Sequence, residues 1–243
     1  NKVSGANFFD VYGSLEVKSG SLEGSGWGIW LNNNANVKID QDATLSSGST
    51  FSIVLGGDCV NAKLDLDGKI IGSSGITVNG NSTSENNLIT VGKDAVIDVS
   101  GTGLYLAGVG NTIVNGAKIK GGETAIEIRA GELTVNGGEF KSIATEYKCG
   151  SNDSGTTTEG AALAIAQHTT KKDIKVTVND GIFKGIKALN ESNPENNPAP
   201  KVILAVKDGT FDGEVSVTDA SKFITGGTFL SDPSAYVADG YVV

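Results

Sequence analysis

One six-residue phrase recurs through this chain: an apolar strand end, a turn of Asn, Asp or Gly, and one large apolar residue. It reads Val135-Asn136-Gly137-Gly138-Glu139-Phe140, then Val178-Asn179-Asp180-Gly181-Ile182-Phe183. It returns as Val206-Lys207-Asp208-Gly209-Thr210-Phe211 and as Ile224-Thr225-Gly226-Gly227-Thr228-Phe229. Looser copies close on Leu22, Leu45, Ile70, Ile97 and Ile119. Successive closing residues lie 18 to 28 apart, except for one interval of 43 between Phe140 and Phe183. A unit of that length holds two or three short strands and cannot bury its apolar side alone, so units must stack. Stacked in register, they form parallel sheets with rungs ~4.8 Å apart. The turn chemistry agrees: Gly tolerates positive φ, and an Asp or Asn side chain bonds the amides of its own turn.

The expected fold is therefore all-β: a right-handed parallel β-helix (β-solenoid) of roughly nine to ten coils, the hand following from the rule for parallel crossovers. An antiparallel sandwich would show two-residue hairpins and no turn phrase in constant register. Composition points the same way. The chain has 34 glycines in 243 residues, about twice the ordinary ~7 %. Glycine at that density disfavours helices at ~1 kcal/mol per position, and no Gly-X-Y period suggests collagen.

A second strand column aligns between the turns. Its members are Gly28-Ile29-Trp30-Leu31, Ser52-Ile53-Val54-Leu55, Gly75-Ile76-Thr77-Val78, Gly103-Leu104-Tyr105-Leu106, Ala125-Ile126-Glu127-Ile128 and Ala162-Leu163-Ala164-Ile165. The period of two puts Ile29 and Leu31 and their equivalents inside, and three lanes outside. The lanes are a strip of Gly, Ser and Ala; the row Trp30, Val54, Thr77, Tyr105, Glu127, Ala164; and the row Asn32, Gly56, Asn79, Ala107, Arg129, Ala166. Two long insertions, 142–160 and 189–200, are expected to project from one shared corner, and insertions of that size are uncommon without a use. The whole chain reads as one domain, with 1–14 as an amino-terminal cap and 230–243 as a carboxy-terminal cap.

Charge narrows the partners. There are 28 acidic residues against 19 basic ones, and Arg129 is the only arginine. No basic stripe exists for phosphate contacts, so nucleic acid is not an expected partner, nor is an anionic membrane surface. No apolar run approaches the ~18 residues of a membrane span. Cys59 and Cys149 lack zinc-site spacing. They stand three or four rungs apart by coil count, so a disulfide needs the first insertion to fold back along the helix.

The closing text, Gly226-Gly227-Thr228-Phe229-Leu230-Ser231-Asp232-Pro233-Ser234-Ala235-Tyr236-Val237-Ala238-Asp239-Gly240-Tyr241, resembles the end of β-helix modules in large surface proteins of Gram-positive gut bacteria. The Gly-Gly-x-Phe repeats look like the same modules, within the pectate-lyase-like superfamily. The resemblance implies a right-handed β-helix on a secreted, wall-attached, multidomain bacterial surface protein. It lies in structural positions and carries no catalytic residues over.

The candidate ligand-binding residues are Trp30, Thr77, Tyr105, Glu127 and Arg129. Exposed aromatics beside a strip of small residues make a flat platform for sugar rings or a partner's side chains, here three rungs apart, or ~14 Å. The expected activity is that of a non-catalytic surface or adhesin module binding a glycan or host surface protein. The competing readings are a polysaccharide lyase or glycoside hydrolase on the same scaffold, and a passive stalk. An enzyme needs carboxylates flanking the scissile bond ~5–9.5 Å apart; the outer lanes offer only Glu127, with Arg129 beside it. The blander reading of that pair is a solvated ion pair worth under ~1 kcal/mol. Trp27, Trp30, Phe8, Phe9 and Tyr12 have a bland reading too, as an end cap. No cofactor is expected. Calcium is the one alternative, at the stacked Asp42, Asp67 and Asp94, although turns favour Asp for its local bonds anyway. His168 reads as a solvated turn residue without a catalytic partner.

Overall fold

The computed structural model describes every residue except 1, 6, 81, 82, 151–157, 168–170, 195, 197–200 and 243. The chain is a parallel β-solenoid whose only helical element among the described residues is the 3-10 turn Ser234–Tyr236. Its strands stack in three columns, here called faces. On the first face Phe9, Ile29, Ile53, Ile76, Leu104, Ile126, Leu163, Leu189 and Val215 follow one another in register. On the second, Leu15, Val37, Leu64, Ile89, Thr112, Leu133, Val176 and Leu204 do so. On the third, the turn-closing residues align from Leu22 through Leu45, Ile70, Ile97, Ile119, Phe140, Phe183 and Phe211 to Phe229. The solenoid has about seven turns, fewer than the nine to ten expected, and at its end the second face is reduced to a single bridge between Val206 and Ile224.

Alternation places one apolar row of each face inside, and these rows form one continuous buried core. The third face ends in a ladder of phenylalanines. Phe140, Phe183, Phe211 and Phe229 stack with ring centroids 4.9, 4.9 and 4.7 Å apart, one ring per rung, as the strand spacing demands. The turn before each ring is what the sequence phrase encodes. The side-chain oxygens of Asp180 and Asp208 accept from the next residue's own amide, Gly181 at 2.7 Å and Gly209 at 2.8 Å. Asn115, Asn136 and Asn179 form a side-chain amide ladder at the same corner, Asn136 Nδ2 donating to Asn115 and Asn179 Nδ2 to Asn136. Gly138 sits at φ 125°, where a Cβ would lie 2.3 Å from the Ala117 carbonyl oxygen. Only glycine fits there.

The insertions differ from expectation. The residues 189–192 belong to the strand Ile182–Ser192, whose register continues the first face. The second insertion therefore begins after Ser192, between the first and second faces. The first insertion leaves after Ser142, between the third and first faces, and carries the antiparallel pair Lys148–Cys149 with Thr158–Glu159. The two rise from opposite edges of the first face, not from one corner. At the amino-terminal end Lys2–Gly5 and Phe9–Val11 pair in register with the next coil. At the other end Tyr236 lies 5.4 Å from Phe223, ring to ring, and Val237 bridges to Ile224.

Candidate functional site

The row expected to form a binding face exists in the predicted register: Trp30 pairs with Val54, then Thr77, Tyr105, Glu127 and Ala164 follow. Its exposure, however, is not what alternation implies. Thr77, Tyr105, Glu127 and Arg129 are 1 %, 5 %, 0 % and 1 % exposed. Of the five residues only Trp30 keeps an open flank. The Glu127–Arg129 pair is correspondingly a buried ion pair within one strand, Arg129 Nε donating to Glu127 Oε1 at 2.7 Å, rather than the solvated pair across rungs that the sequence suggests.

The cover comes from neighbouring coils and the first insertion. The Phe51 ring stacks on Tyr105 with centroids 5.9 Å apart. The Arg129 guanidinium lies 5.1 Å from the centroid of the same Tyr105 ring, close enough for a cation–π contact. Thr158, on the insertion's returning strand, donates its amide to Glu127 Oε2 at 3.1 Å, and its carbonyl accepts from Thr124 Oγ1 at 2.6 Å. Burial, more than the adjacent charges, pushes the Tyr105 hydroxyl up to about 12. Glu127 and Thr124 thus tie the insertion to the first face, and Arg129 braces Glu127 from the same strand.

The small-residue strip needs the same correction. Gly28, Gly75, Ser52, Ala125 and Ala162 are buried. A Cβ on Gly28 would lie 1.9 Å from the Ser52 carbonyl oxygen, and one on Gly75 2.1 Å from that of Gly103. These glycines permit the close approach of successive rungs at a corner, and clear no platform.

An open concavity lies at the amino-terminal end of the first face. Asn7, Phe8, Phe9, Asp10, Trp27, Gly28 and Trp30 line a pocket of about 120 Å³. The two indoles meet edge to face, centroids 5.6 Å apart at 80°, and Phe9 and Trp27 are 41 % and 37 % exposed. Asp10 pairs in register directly before Trp30, so the carboxylate and the indole stand on adjacent rungs of one lane. Sequence reasoning assigned most of these aromatics to an end cap; the clue to a pocket is Asp10, which precedes Trp30 in the same outer row.

The remaining candidates divide. Asp42, Asp67 and Asp94 do share a groove, together with Lys18, Asp40, Gln41 and Lys93. Lys93 pairs with Asp94 at 2.9 Å and Lys38 with Asp40 at 2.6 Å, so lysines offset this charge. A wider groove of about 920 Å³ runs between the first and second faces past Asn86, Leu88, Glu132, Lys172, Lys175 and Ile203; its Lys175 is bound to Glu132 at 3.0 Å. Both cysteines are free thiols. Burial raises the Cys59 thiol to about 11, which keeps it protonated and unreactive at neutral pH. Cys149 lies 3.3 Å from Ser192 Oγ. His168 lies outside the described residues. No protein-family model, curated protein or solved structure matches the chain.

Proposed function

We propose that this solenoid is a non-catalytic binding module, displayed on a bacterial surface, whose pocket of Phe8, Phe9, Trp27 and Trp30 takes a sugar ring of an extracellular glycan. The observation that carries the reading is the pocket itself: four aromatics around a concavity of about 120 Å³ with Asp10 and Asn7 at its edge. Aromatic faces cover the apolar side of a pyranose while a carboxylate and an amide accept and donate at its hydroxyls. Partly exposed indoles on a rigid strand lose little conformational freedom on binding, which favours affinity. The surface location rests on the likeness of the closing segment to β-helix modules of wall-attached, pectate-lyase-like proteins. Glu127 is engaged in holding the first insertion and Arg129 in pairing with it, which favours binding over bond cleavage at that place.

The test is a glycan array, followed by titration of the best ligand into the wild-type protein and Trp30→Ala. A loss of at least tenfold in affinity with Trp30→Ala is expected, with Glu127→Gln binding unchanged. Equal affinity in wild type and Trp30→Ala would place the ligand elsewhere. New reducing ends or unsaturated uronates, on incubation with pectins, glycosaminoglycans or mucin glycans, would overturn the non-catalytic reading.

A further inference from the structure

A second polar cluster lies inside the solenoid near its carboxy-terminal end. Glu191 occupies an inner row of the first face, in register between Ile165 and Val217, and is 1 % exposed. A carboxylate in an otherwise aliphatic row is costly unless its charge is met. One oxygen is satisfied: Oε2 accepts the backbone amides of Thr218 and Asp219 at 2.8 and 2.7 Å. The other, Oε1, is buried with no hydrogen-bond partner. Gln167, 2 % exposed, donates its Nε2 to Asp219 Oδ2 at 2.5 Å, and its own Oε1 is likewise buried without a partner. Both unmet atoms are acceptors, and each belongs to a side chain whose other terminal atom already bonds Asp219. Among the described residues no lysine or arginine forms an ion pair with Glu191 or Asp219.

We propose that Gln167, Glu191 and Asp219 form a site for a hard cation of the calcium class, which locks the last coils together. The donor set is all oxygen, one neutral amide and two carboxylates, which is the chemistry of such ions. A bound water would fill the two acceptors but leave the carboxylate charge uncompensated in the core; a cation meets both needs. Asp219 is exposed, so an ion reaches the site from solvent. With so few protein oxygens the remaining positions fall to water, and the affinity belongs in the weak range of extracellular calcium modules, Kd ~10⁻⁴–10⁻³ M. The site is separate from the aromatic pocket and stands or falls without it.

The experiment is thermal unfolding in chelator, in calcium chloride and in magnesium chloride at fixed ionic strength. At calcium tenfold above its Kd the wild-type Tm should rise by about 3–6 °C. The rise should vanish in Glu191→Gln and in Gln167→Leu. It should persist in Asp94→Asn, which thins the acidic groove on earlier coils, away from Glu191. In chelator Glu191→Gln should melt at or above wild type, because it removes an unmet charge. No calcium-dependent rise in the wild type, or an equal rise in Glu191→Gln and Gln167→Leu, would overturn the proposal. So would a rise lost only in Asp94→Asn.

Discussion

The two ends of one outer row of the first face carry aromatic residues of opposite fate. At the amino-terminal end Trp30 keeps an open flank and shares a pocket with Trp27, Phe8 and Phe9. Three rungs on, Tyr105 is buried between Phe51 and Arg129, and Glu127 beyond it holds the amide of Thr158. The backbone is the same in both places, a short parallel strand in a continuous register. What differs is the cover: Phe51 and Arg129 close over Tyr105 and the returning strand of the first insertion meets Glu127, whereas Trp30 keeps an open flank. An outward position on a solenoid is therefore a potential ligand contact or a structural anchor according to what folds over it.

The largest test of this contrast is at the covered end. Arg129→Ala leaves the Glu127 carboxylate buried beside a void, and should destabilise the protein by about 3–5 kcal/mol in denaturant unfolding. Hydrogen exchange at the Thr158 amide should accelerate with it, because Glu127 no longer holds one geometry. The double variant Glu127→Leu with Arg129→Met, which replaces the pair by apolar groups of similar size, should recover most of the loss. A single-variant cost below about 1 kcal/mol would mean that the pair is solvated after all, and the two ends of the row alike.

A smaller effect separates the ends by pH. Tyr105 has its hydroxyl raised from 10.0 to about 12 by burial. The folded state therefore holds this proton more tightly than the unfolded chain does. Stability from this group is complete below pH 10 and falls as pH rises from 10 towards 12, by about 2–3 kcal/mol in all. Tyr105→Phe should flatten that part of the stability curve while changing stability little at pH 7. An unchanged alkaline slope in Tyr105→Phe would show that the hydroxyl titrates as freely in the folded chain as in the unfolded one.

These differences mark where sequence reasoning reached and where it stopped. The inner rows were legible because residue parity and the turn phrase are local: Phe140, Phe183, Phe211 and Phe229 fall in one ladder as their spacing requires. The order of the outer row was legible for the same reason. Its burial was not, since that depends on a backbone amide, Thr158, in a segment of Ser, Thr and Gly that reads as loop. One signal was present. Around Glu127 and Arg129 the outer positions are Ala107, Ala125, Ala162, Ala164 and Ala166, and a row of alanines with no polar residue is a surface that something covers. The pocket at the open end was hidden by a different cause. Phe9 and Trp30 stand far apart in sequence order and meet only through the pairing of adjacent rungs.

The smallest expected effect lies at that open end. Trp27 is 37 % exposed and meets Trp30 edge to face. Trp27→Ala removes one ring contact and part of a half-covered surface, so unfolding should show a loss of no more than about 1 kcal/mol. The wild-type alkaline slope should be retained, because Tyr105 and its cover lie elsewhere on the face. Ligand affinity should fall nonetheless, for the lost ring is one wall of the pocket. A stability loss of several kcal/mol in Trp27→Ala, with affinity intact, would make the indoles an end cap holding the first coil, and the row would then be structural along its whole length.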